Sequence, residues 1–119
     1  MKIVEVVEEK AAEDTRDLFK GGKVYLQILV GKDDTEQFSS AMVHFDAGAR
    51  TKLHVHEFAQ MLYATKGKGL VGTDKEQHIV TPGMLIFIPA KEPHFHGASD
   101  DEAFSHLAIS KVGQMQILE

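Results

Sequence analysis

The stretch QMLYATKGKGLVGTDKEQHIVTPGMLIFIP, residues 60–89, carries the clearest signature of the architecture. It holds the short apolar segments QMLYAT, KGLVGT, EQHIVT and MLIFIP, all rich in β-branched, aromatic or aliphatic residues. Turn residues part them: Lys-Gly-Lys-Gly at 66–69, Thr-Asp-Lys at 73–75 and Thr-Pro-Gly at 81–83. Period-two patterning punctuated this closely belongs to strands, because successive side chains leave opposite faces of a strand. Gly67, Gly69 and Gly72 are hairpin residues and not a phosphate loop, since no helix follows them. The pattern continues outward through KVYLQILVG (23–31), FSSAMVHFD (38–46), AFSHLAIS (103–110) and VGQMQIL (112–118). Many short strands without a long helix predict an all-β sandwich or barrel. One segment, EEKAAEDTRDLF (8–19), predicts a short N-terminal helical piece, and KIVEVVE (2–8) an additional terminal strand.

A chain of 119 residues with no internal repeat or linker predicts a single domain, 1–119. With 43% hydrophobic and 26% charged residues, the composition is that of an ordinary globular protein. There is no cysteine, so disulfides and thiolate ligands are excluded and any metal must be held by nitrogen and oxygen donors. Apolar runs such as Met84 to Ile88 are too short to cross a bilayer, and MKIVEVVEEKAAED is too acidic for a secretory signal. The expectation is a cytoplasmic protein without a membrane partner. A net charge of -5 likewise gives no reason to expect nucleic acid.

The metal question falls to the seven histidines. His54 and His56 are two apart and leave one face of a strand, and Gln60 shares their parity if the chain stays extended. His94 and His96 repeat the device after a strand ending at Pro89, and His106 shares a face with Phe104 and Ala108 that looks into an apolar interior. Each also has a plainer reading: His106 as a hydrogen-bonded core residue, an H-x-H pair as a solvated strand face. Two such pairs in one short all-β chain favour metal binding. His44 and His78 read as structural or surface residues.

These residues resemble a known family. GARTKLHVHEFAQMLYATKG (48–67) runs as G-x5-H-x-H-x3-Q-x6-G, and GMLIFIPAKEPH (83–94) as G-x5-P-x4-H. Both are similar to the two motifs of the cupins, small jelly-roll barrels (double-stranded β-helices) with a metal in the barrel mouth. The resemblance spans about Val24 to Ser110. It implies that His54, His56 and His94 are ligands, with Gln60 where the family usually has glutamate. Lys91 and Ala98 replace a usual glycine and asparagine, which touches turn chemistry and not the metal. A neutral set of three histidines and a glutamine leaves a divalent ion its full charge, making it a stronger Lewis acid. Manganese, iron, nickel and zinc all suit imidazole and amide oxygen.

The wider pattern, with HFHGA at 94–98 and HLAI at 106–109, resembles a subgroup that includes manganese-dependent bacterial hydroxynitrile lyases and cupins found with carboxymuconolactone decarboxylase-like proteins. That resemblance implies manganese, one ion per chain, on His54, His56, Gln60 and His94. It makes His96 and His106 active-site histidines that are not ligands, and Thr51 a pocket residue. Ala41, Val43, Phe45, Leu62 and Phe104 are expected to supply pocket walls. The implied function is a lyase on a small hydroxylated or carbonyl substrate, with His96 as base and His106 orienting it or binding the leaving anion. A dioxygenase with a redox-active ion and a non-catalytic module capturing a small organic acid are the other readings. The two terminal strands, beyond what the barrel needs, predict a homodimer.

Overall fold

A computed structural model describes residues 1–119. The strands are β1 (Ala12–Glu13), β2 (Phe19–Lys20), β3 (Val24–Val30), β4 (Ser39–Phe45), β5 (Arg50–Thr51), β6 (His54–His56), β7 (Gln60–Gly67), β8 (Gly69–Gly72), β9 (Gln77–Val80), β10 (Leu85–Ile88), β11 (Phe95–Ala98), β12 (Phe104–Ser110) and β13 (Met115–Ile117). A six-stranded antiparallel sheet runs β1-β3-β4-β12-β7-β10, and a five-stranded one β2-β5-β11-β8-β9. Between them lies an apolar core including Val24, Val43, Phe45, Ala64, Val71, Val80, Ala98 and Phe104. The segments expected from their period-two pattern are strands, and the molecule is the all-β barrel they imply. No helix is long and apolar enough to cross a membrane.

The N-terminal segment departs from expectation. Its only helical element is a 3-10 turn over Glu8–Lys10. Beyond it, Ala12 and Glu13 pair with Leu26 and Tyr25. The Asp14 carboxylate then accepts hydrogen bonds from the Arg16 backbone N–H and guanidinium, a local bond that competes with helical pairing. Lys2–Glu8 is not a ladder strand either: Val7 N–H donates to Gln27 Oε1, and Gln27 Nε2 donates to Glu5 O, so a side chain takes the place of a neighbouring strand. At the other terminus, β13 pairs with β6. Of the edge strands β1, β10, β2 and β9, it is β10 whose cross-strand pairs Leu85/Tyr63 and Phe87/Met61 expose large apolar side chains.

Two glycines set the strand geometry around the histidines. Gly67 has φ +81°, and a Cβ there would run into the Ala103 carbonyl, so the β7–β8 turn requires glycine. Gly97 pairs with Arg50, and a Cβ on it would collide with the Arg50 backbone. Its missing side chain lets β5 lie against β11, which brings Thr51 beside His96.

Candidate metal centre

The two motifs meet through their backbones. His54 N–H donates to His94 O at 3.0 Å and His94 N–H to His54 O at 2.9 Å, an isolated antiparallel bridge. His56 follows on the same face of β6. The three rings converge, with centroids 4.3 Å apart for His54/His94, 4.8 Å for His54/His56 and 4.9 Å for His56/His94. One ring nitrogen of each lies within 4.8 Å of the others.

The hydrogen bonds select which nitrogens face the centre. Nδ1–H of His54 donates to Lys52 O and Nδ1–H of His94 to Glu92 O, both at 2.8 Å. That leaves Nε2 of each ring as a lone pair, the form a metal takes, with an oriented partner behind it. Nε2 of His94 and Oε1 of Gln60 are buried without a partner. Unpaired buried acceptors are rare, and these two, on residues of one motif pair, fit an electrophile such as a metal ion. Burial first, then the neighbouring imidazoles, pushes His54 down to about 3 and His56 to about 4, so both are neutral donors at pH 7. His94 is lowered as well, mainly by burial. The donors present fit a divalent ion taking imidazole nitrogen and amide oxygen.

A cavity of about 310 Å³ opens beside this cluster. His54, His56, Gln60, His96 and His106 line one part of it; Ala41, Val43, Thr51, Leu26, Ile28 and Ala108 line others. His96 backbone N–H donates to Thr51 Oγ1 at 3.0 Å, and Nδ1 of His96 lies 3.0 Å from Nε2 of His106. Thr51 therefore positions the strand that carries His96. Burial, then the charge of His106 and the other imidazoles, holds His96 well below the ordinary histidine range. His106 is fully buried, pushed down to about 3 chiefly by that burial, and its Nδ1 has no partner. A β-bulge where β12 passes β7, between Ser105 and His106, re-aims that ring.

Of the pocket residues expected from sequence, Ala41, Val43 and Thr51 line this cavity. Phe104 does not: it is 1% exposed and stacks on Phe45 in the core, 6.4 Å between centroids. Phe45 and Leu62 are likewise core residues rather than walls. Phe45 nonetheless braces the site from behind, its ring 5.5 Å from His106 and 6.0 Å from His96. His44 lies elsewhere, its Nδ1 2.7 Å from Ser105 Oγ, and borders a separate depression of about 500 Å³ with Glu8 and Lys66. His78 is exposed beside Glu76. Sequence reasoning missed Arg16, Ser39, Ser40, Ser110 and Met115, all on the cavity lining. No local signal marks them: Arg16 lies in the β1–β2 connection, Ser39, Ser40 and Ser110 at the ends of β4 and β12, and Met115 on β13, and only the pairing of distant strands brings them together.

Known proteins place this geometry. A family model described as cupin domain matches residues 41–110. An (R)-mandelonitrile lyase from Granulicella tundricola is 33% identical over 115 residues, covering 93% of this chain and 85% of the lyase. A crystal structure of a cupin-like protein from Thermotoga maritima superposes with a TM-score of 0.87 at 30% identity, covering 96% of this chain and 89% of that one. The polyketide cyclase RemF of Streptomyces resistomycificus has a TM-score of 0.82 at 18% identity, covering 99% and 87%, a likeness of fold.

Proposed function

Because the chain belongs to the cupin family, we propose that it is a metal-dependent lyase that cleaves a carbon–carbon bond beside a hydroxyl, as in a hydroxynitrile. The observation that carries this reading is the juxtaposition of two histidine groups: His54, His56 and His94 gathered for an ion, and the His96–His106 pair beside them, with His54, His56, His96 and His106 on one cavity. The (R)-mandelonitrile lyase relative, aligned over 93% of this chain, supports it. His54, His56, His94 and Gln60 hold the ion, with manganese as the native metal. When bound, the ion supplies a Lewis acid that polarises a substrate oxygen and acidifies its hydroxyl.

His96 accepts the hydroxyl proton at Nε2. It is neutral at pH 7, so the lone pair is available without prior deprotonation. To present that lone pair, His96 carries its own proton on Nδ1 and donates it to Nε2 of His106. His106 then keeps a proton on Nδ1, where it meets no acceptor. His106 thus orients the base and accepts the positive character that develops on it. As the hydroxyl loses its proton, the bond to the nitrile carbon breaks and its electron pair leaves with cyanide. The proton on His96 Nε2 then passes to cyanide, which restores the base. Ala41 and Val43 exclude water from this step and pack the organic substituent.

The test is His96→Ala. Metal content should stay at one equivalent while turnover of mandelonitrile falls by about two to four orders of magnitude, the usual contribution of general acid–base catalysis. Loss of metal would make His96 a ligand; full activity with metal retained would overturn the mechanism.

A further inference from the structure

The chain has 18 carboxylate residues against 13 lysines and arginines, yet no carboxylate lines the cavity. Arg16 is the one Asp, Glu, Lys or Arg among its 21 lining residues. Two neighbours orient it. Asp14 accepts from Nε at 3.0 Å and Nη2 at 2.7 Å, and the guanidinium carbon sits 5.7 Å from the Phe19 ring centroid. Arg16 lines the cavity and Asp14 does not, and none of the hydrogen bonds between the two uses Nη1, which has no protein partner. Arg16 also borders the shallower rim shared with His56, Gln60, Ser39 and Ser110. Asp14 occupies the Nε–Nη2 edge of the guanidinium, and the Nη1 donors that remain suit a second, incoming carboxylate.

We propose that Arg16 is a specificity-determining residue and that the cavity is built for a small 2-hydroxy or 2-oxo carboxylate. This rests on the metal-centre reading of the proposed function. The ligand's carboxylate pairs with the Arg16 guanidinium, its hydroxyl or keto oxygen faces His54, His56, Gln60 and His96, and its apolar substituent lies against Leu26, Ile28 and Val43. A cyanohydrin fits the same place without the ionic contact, so turnover of a neutral hydroxynitrile and recognition of an acid are both served by one cavity.

The experiment is calorimetric titration with mandelate and with mandelamide, its uncharged counterpart with the same hydroxyl and ring. Wild type, Arg16→Gln and Arg16→Lys are compared, each with and without added manganese, and metal content is read separately by elemental analysis. Arg16→Gln should weaken mandelate by about tenfold or more, the worth of a charge-assisted hydrogen bond, and leave mandelamide within about twofold. Arg16→Lys should recover part of the mandelate affinity, and all three proteins should hold the same metal. Equal weakening of both probes, no change in mandelate, or a wild type that binds neither would overturn the proposal. A chain that holds no ion would sink the metal-centre reading instead, and the ratio of the two affinities in that same metal-free chain would still decide Arg16.

Discussion

Replacing Thr51 by valine tests how the wall beneath His96 is held. Thr51 is fully buried, and its Oγ1 accepts the His96 backbone N–H at 3.0 Å. Valine keeps the shape of threonine and removes only the acceptor, so no void opens and a buried N–H loses its partner. Orphaning such a donor costs about 1–3 kcal/mol. An unfolding entropy of about 2.1 cal/mol/K per residue comes to about 0.25 kcal/mol/K for this chain, so Tm should fall by about 4–12 °C. Thermal unfolding of the metal-free protein, followed by circular dichroism, measures it without the complication of ligand linkage. Thr51→Ser keeps the acceptor and loses one methyl, about 0.8 kcal/mol or roughly 3 °C. A Thr51→Val protein melting within about 2 °C of wild type would refute the reasoning. So would a Thr51→Ser protein that falls as far as Thr51→Val.

The ligand set predicts that His54→Ala and His94→Ala each lose most of the bound metal, while Gln60→Ala loses less because an amide oxygen is the weakest donor. Elemental analysis decides, and a histidine variant that keeps a full equivalent does not belong to the set. In the metal-free protein, His54 and His106 are lowered to about 3 and His56 to about 4, from an ordinary 6.5. The unfolded chain therefore binds more protons than the native one below 6.5, and stability is complete above that pH and falls as pH drops toward 4. Urea midpoints at neutral and mildly acid pH measure the slope, and a flat profile would contradict these burials. The exposed pairs Leu85/Tyr63 and Phe87/Met61 on the uncovered β10 edge suit a second copy, which an isologous contact would place there. A dimeric mass by light scattering should become monomeric in Leu85→Lys/Phe87→Glu, and a monomeric wild type would remove the expectation.

The longer strands were legible because their side chains alternate over six or more residues and their turns carry glycine or proline. The shortest were not. β1, β2 and β5 are two residues long, and their extended state is set by partners such as Leu26 and Gly97 rather than by their own composition. EEKAAEDTRDLF has helical propensity, but the Asp14–Arg16 bonds and the pairing to β3 outweigh it. At the site, parity alone put His54, His56 and Gln60 on one face and turned His106 inward. Parity could not show that Nδ1 of His96 meets Nε2 of His106, because a bulge shifts the register between Ser105 and His106. It also placed Phe104 on the inner face without showing how far along the barrel that face stops being a pocket and becomes core.

The imidazoles of His54 and His94 are each steadied from behind by a main-chain carbonyl two positions earlier, at Lys52 and Glu92. Where a carboxylate side chain performs this task, a single codon change can delete it. Here every amino acid that could arise at either position still carries the required oxygen. Lys52 can change its pairing with Asp17, and Glu92 its side chain, with the hydrogen bond to the ring two residues on retained, although at Glu92 the change also removes a negative charge that favours protonation of His94. The hydrogen bonds that orient the two rings are thus insensitive to drift at these two positions. A lineage carrying this arrangement can remodel its rim, and with it the molecules it admits, while the donors inside are inherited intact.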